Sequence, residues 1–136
     1  MLTAGALLAG CGRAPALEID DAWVRSAPPS ATVQAGYFTL HNRAASDFTI
    51  VGAYSNAFGS VEMHETVTSD GVSRMRRIER LVVPGGGSLE LAPGGRHLML
   101  IDPQRPYAPG DRLEIVLELD GGANQAISFE VRPAAY

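Results

Sequence analysis

The chain has 136 residues and a formal net charge of -4, with 46% hydrophobic and 19% charged residues, which is enough for one domain with its own core and excludes a disordered polymer. All eleven basic residues are arginine, and the acidic balance leaves no basic face of the kind nucleic acid requires. A single cysteine, Cys11, excludes an internal disulfide and any cysteine-rich zinc or iron–sulfur centre.

In chain order, the first segment is MLTAGALLAGCG. An apolar run from Leu2 to Ala9 leads into Leu8-Ala9-Gly10-Cys11, which resembles a bacterial lipobox, in which the cysteine is lipidated and becomes the mature N-terminus. The run is too short to span a bilayer and suits the apolar region of a signal peptide. Residues 1–16 are therefore expected to be a signal segment and tether with Cys11 as the lipidation site. Residues 17–133 are expected to form one β domain, and 134–136 a short tail.

Nine apolar stretches come next, at 17–26, 32–42, 48–55, 61–68, 72–83, 88–92, 96–101, 112–119 and 125–133. Turn chemistry separates many of them: Ser69-Asp70-Gly71, Pro84 to Gly87, Pro93-Gly94-Gly95, Pro109-Gly110-Asp111 and Asp120-Gly121-Gly122. Many short strands with no long helical period predict an all-β sandwich or barrel in a single domain. The stretch RLEIVLEL shows half-buried alternation, with Leu113, Ile115, Leu117 and Leu119 expected inward and Glu114 and Glu118 outward. Trp23 and Tyr37 are expected in the core, and His41 at a surface or turn.

Apart from Met1, every methionine lies between Val61 and Leu100, together with two of the three histidines. If Asp70-Gly71 form the centre of a primed turn, Ser69 pairs with Val72, Thr66 faces Met75 and His64 faces Arg77. His64 and Met75 then share a face as diagonal neighbours, about 7 Å apart at Cβ. In RHLML, His97 and Met99 share a face by the period of two, and Leu98 and Leu100 take the other. Met63 points away from His64 and is assigned to the core or to a layer supporting the donors. Glu62, Glu65, Arg74 and Arg76 are expected as solvated charges.

Two local arguments thus give two His-Met pairs. A thioether is a soft neutral donor and imidazole a borderline one, so two of each suit Cu(I), whereas hard ions need carboxylates and water. Imidazole must shed its proton to bind, so acid weakens such a site. A blue-copper electron-transfer centre needs a cysteine thiolate, and Cys11 lies in the leader. The pattern therefore favours holding and passing copper over cycling it. A lone strand methionine is usually a core gap-filler, and a metal-free β-sandwich interaction module is the plain alternative. No Ser-His-Asp or paired-carboxylate arrangement supports an enzyme.

The spacing of His64, Met75, His97 and Met99 resembles the H-x10-M-x21-H-x-M signature of periplasmic copper chaperones of the PCu(A)C type. WVRSAPP, AGYFTLHN, VEMHET, LELAPGGRHLML and PYAPGDRLEIVLEL are similar to that family's landmarks, from about Leu17 to Pro133. The resemblance implies a cupredoxin-like β-sandwich or barrel with those four residues as Cu(I) ligands. It also implies a periplasmic or extracytoplasmic metallochaperone that is no enzyme. Its partner would be a copper acceptor, an oxidase copper subunit or a Sco-type protein, in cytochrome c oxidase assembly. A copper-sequestering resistance protein would use the same ligands. RPAAY carries no Met/His-rich tail, so a single site is expected.

Overall fold

Alternating β-branched, aromatic and aliphatic residues between Gly/Pro turns favour the pleated backbone over the helix. The computed structural model describes residues 17–134 and has ten strands and no helix among them. They are β1 (Leu17–Arg25), β2 (Val33–Asn42), β3 (Phe48–Tyr54), β4 (Phe58–Ser69), β5 (Val72–Ile78), β6 (Leu81–Val83), β7 (Ser88–Leu91), β8 (Arg96–Pro103), β9 (Arg112–Leu119) and β10 (Asn124–Arg132). The segment containing Cys11 lies outside the described residues.

The sheet runs β5-β4-β8-β2-β1-β10-β9-β3-β6, and an additional β3–β4 pairing at Ala53 and Val61 closes seven of these strands into a barrel. β5, β6 and β7 are additions to it. Neighbours pair antiparallel except β1 and β10, which run parallel from Trp23–Glu130 to Arg25–Arg132. That contact is made after a bulge in β1, where Asp21 adopts a φ of 52°. A bulge adds a residue on one strand and bends the chain beyond it, here turning Trp23 to Arg25 onto β10. Arg132 Nη1 donates to Asp21 Oδ1 at 2.6 Å and fastens the bend.

The barrel is filled by one side of each strand. Phe38, Leu40, Ile50, Leu98, Leu100, Ile115, Leu117 and Phe129 are fully buried or nearly so, and Phe38 meets Phe129 edge-on with centroids 6.0 Å apart. Burying such side chains contributes about 1.5–3 kcal/mol each against the entropy of ordering them. The expected alternation in β9 holds: Leu113, Ile115, Leu117 and Leu119 are buried, Glu114 is exposed and Glu118 half-buried. Met63 lies in the core, as its facing required.

Three differences from the sequence reading have physical causes. The stretch 72–83 is two strands, because the chain leaves β4 at Ile78 and takes β3 as a new partner from Leu81. Glu79 and Arg80 form the exposed crossing, and Arg80 pairs with Asp120 at 2.7 Å. Trp23 is half-buried on the outside of the barrel, stacked on Tyr37 at 4.7 Å. Tyr37 is buried as expected, on the opposite side of β2 from Phe38, with Trp23 and Arg25 against its ring. The third difference concerns the expected solvated charges: Glu65 has a side chain only 20% exposed and pairs with Arg76, and Glu62 belongs to the candidate site.

Candidate metal centre

The β4–β5 hairpin has the register the turn chemistry predicts. Ser69 pairs with Val72, Thr66 with Met75 and His64 with Arg77. Asp70 and Gly71 both take positive φ, 51° and 77°, the conformation a two-residue primed turn demands and that Asp-Gly supplies at low cost. The fold then adds what no local argument could. β8 lies on the other side of β4, antiparallel, with His97 directly opposite His64 and Met99 opposite Glu62. The two His-Met pairs are therefore parts of one outer face.

The two imidazoles lie 6.0 Å apart between centroids with planes 25° from parallel. His97 is 7% exposed. Its Nδ1 lies 3.2 Å from the Gly95 carbonyl; a carbonyl only accepts, so Nδ1 carries the proton and Nε2 keeps its lone pair. His64 Nε2 lies 2.8 Å from a Glu62 carboxylate oxygen, so the proton sits there and Nδ1 keeps the lone pair. That Nδ1 is buried and has no hydrogen-bond partner. Buried polar atoms are almost always satisfied, and an orphan calls for an explanation such as an ion. Each histidine thus has one nitrogen fixed by the protein and one left for a ligand, the arrangement that orients metal-binding histidines generally.

Met75, His97 and Met99 line one recess of about 230 Å³, with Arg25, Val33 and Ala35 among the six other residues of its wall. His64 stands beside it across the strand pair. Met75 is 62% exposed, while Met99 is half-buried. No group of three or more His, Cys, Asp or Glu side chains converges among the described residues, so a hard or purely borderline site is not built here. What the fold sets on this face is His97, Met75 and Met99 around a mostly apolar hollow, with His64 next to His97 at its side.

Sequence reasoning missed two supports. Glu62, expected as a solvated charge, has a side chain only 26% exposed and accepts from His64; that hydrogen bond holds its carboxyl below the usual carboxylate range, helped by the Arg77 guanidinium at 3.5 Å. The period of two placed Glu62 and His64 on one face, so this was legible. The Gly95 carbonyl was not: it accepts from both His97 Nδ1 and the Thr66 amide at 3.2 Å, and depends on the Pro93-Gly94 turn, where Gly94 has a φ of 85°. His41 lies apart from the site, between Ser88 Oγ at 2.7 Å and Asp20 at 3.0 Å.

Replacing Glu62 by glutamine keeps an acceptor for His64 but removes the charge. Outer partners of metal-binding histidines typically matter by about 10–100-fold, and Glu62→Gln is expected to weaken metal binding about tenfold, read by competition with a chelator. Undiminished affinity would show the contact to be structural only.

A family model described as "Putative lipoprotein LpqE-like" matches residues 17–131. A protein of Leifsonia xyli subsp. xyli, "Putative lipoprotein Lxx21020", is 31% identical over 121 residues, covering 88% of this chain and 72% of its own. Among solved structures, Cu(I)-DR1885 from Deinococcus radiodurans is 30% identical with a TM-score of 0.69, over 91% of this chain and 83% of that one. The copper-bound PCuAC domain of PmoF2 superimposes with a TM-score of 0.73 at 23% identity, over 88% and 94%, and shows that the fold is that of PCuAC domains.

Proposed function

The chain belongs to the LpqE-like family, and on that footing we propose that it is an extracytoplasmic Cu(I) metallochaperone, a carrier and not a catalyst, anchored through Cys11. His64 Nδ1 and His97 Nε2 would supply two nitrogens, and Met75 and Met99 two sulfurs. One observation carries the reading: two imidazoles, each with one nitrogen hydrogen-bonded to the protein and one without a partner, face each other beside a recess that already contains both thioethers. The copper named with the Deinococcus relative supports it.

The chemistry rests on the donors. All four are neutral, so the bound ion keeps its full charge, and an apolar hollow penalises a doubly charged ion more than a singly charged one. Thioethers are soft and select Cu(I); unlike thiols, they do not form disulfides in an oxidising compartment. The recess opens to solvent, so a carried ion can be passed on. The proposed destination is an acceptor in cytochrome c oxidase assembly, an oxidase copper subunit or a Sco-type protein, in keeping with the family resemblance.

The test is an anaerobic Cu(I) titration against a competing chelator. The double variant Met75→Leu with Met99→Leu conserves volume and removes both sulfurs; it is expected to weaken binding at least about a thousandfold, roughly 4 kcal/mol. Unchanged affinity would reject the ligand assignment.

A further inference from the structure

The four donors are not held alike. His64, His97 and Met99 sit on β4 and β8, two barrel strands paired from Phe58–Pro103 to Glu65–Arg96. Next to those donors, on the inward side, stand Met63, Leu98 and Leu100, the two leucines fully buried. Displacing His97 or Met99 by a backbone shift would drag the core with it. Met75 sits on β5, an edge strand that pairs with β4 alone. Every β5 residue from Val72 to Arg77 is exposed, and beyond Thr66, whose amide still donates to the Gly95 carbonyl, the hairpin has no strand on its second side. Met75 needs only rotate an unbranched side chain, on a segment of the kind that opens most readily. Beyond it the recess is open, with Val33 44% exposed and Arg25, Ser26 and Gln34 also in its lining.

We infer that Met75 is the exchangeable donor: Cu(I) enters and leaves from the β5 side while His64, His97 and Met99 keep hold of it. This rests on the ligand assignment above and adds an order to it. In the exchange, a sulfur donor from the acceptor forms one copper–sulfur bond as the bond to Met75 breaks. Copper stays monovalent and no electron is transferred. The acceptor that fits is one presenting a soft sulfur among acidic groups, which would meet the exposed Arg74, Arg76 and Arg77 around Met75 on the edge of β5.

A donor that acts as a gate and one that acts as a floor differ in kinetics. Removing a gate speeds entry as well as exit, so release accelerates by more than affinity falls. Removing a floor donor loses affinity through exit alone. The full-length protein, Met75→Leu and Met99→Leu are each loaded anaerobically with one equivalent of Cu(I). Kd is measured by equilibrium competition with bicinchoninate, and release by stopped-flow into excess bicinchoninate. Met75→Leu is expected to raise Kd about tenfold and the release rate about a hundredfold, whereas Met99→Leu raises Kd about a hundredfold or more and the release rate by no larger factor. Equal behaviour of the two variants, or a release rate in Met75→Leu that rises no more than Kd, would overturn the order while leaving the site intact. Absence of tight Cu(I) binding by the unaltered protein would remove both.

Discussion

His64→Leu is expected to lose tight Cu(I) binding and, metal-free, to unfold at a higher urea concentration than the unaltered protein. The two effects have opposite signs because one atom causes both. His64 Nδ1 is buried with no hydrogen-bond partner, and such an orphan costs about 1–3 kcal/mol. Leucine fills a similar space with no polar atom and removes that cost. The loss on the other side is the His64 Nε2–Glu62 hydrogen bond, worth about 1.5–3 kcal/mol in a charged setting. Glu62, however, keeps access to water and its contact with Arg77 at 3.5 Å, so much of that loss is recovered. A net gain of about 1 kcal/mol is expected for the metal-free protein, with Cu(I) affinity falling about a hundredfold or more. A metal-free His64→Leu that is clearly destabilised would mean that the histidine is there for the fold, and the case for the site would weaken accordingly.

Leu98→Ala should be the most damaging single truncation near the site. Leu98 is fully buried, opposite Met63 on β4 and Gly36 on β2, and it stands between His97 and Met99 on the inward face. Leucine-to-alanine changes in tight cores cost about 2–5 kcal/mol, against a total stability of about 5–15 kcal/mol for a domain. Urea unfolding of the metal-free protein measures this directly. Copper affinity in the folded fraction should fall far less, because backbone pairing on both sides of β8 keeps His97 and Met99 in register. A cost under about 1 kcal/mol would mean that this layer of the core is loosely filled.

The elements of the barrel were legible because their signals are local. Asp70-Gly71 dictated the register of the β4–β5 hairpin, and the alternation in Leu113 to Leu119 dictated which side of β9 is buried. The His-Met pairings within each stretch came from the same rules. That His64 lies opposite His97 was not legible: it comes from β8 docking on β4 across residues 65–96, and register between strands distant in sequence is set by the packed whole. The division of residues 72–83 failed for a related reason, since the change of partner from β4 to β3 exists only once the barrel has closed. Trp23 was misplaced because a large aromatic ring does not by itself say which side of a strand it takes, and the bulge at Asp21 resets the alternation of β1 just before it.

The path of β1 has a geometric corollary. It starts at Leu17, opposite Asn42, and ends at Arg25 in the wall of the recess. At about 3.3 Å per residue, those two points are roughly 25 Å apart along the barrel. Whatever precedes Leu17 therefore joins at the pole remote from Met75 and Met99, and a lipid tether attached there would point the sulfur-lined mouth away from the bilayer, toward visitors arriving from the aqueous side.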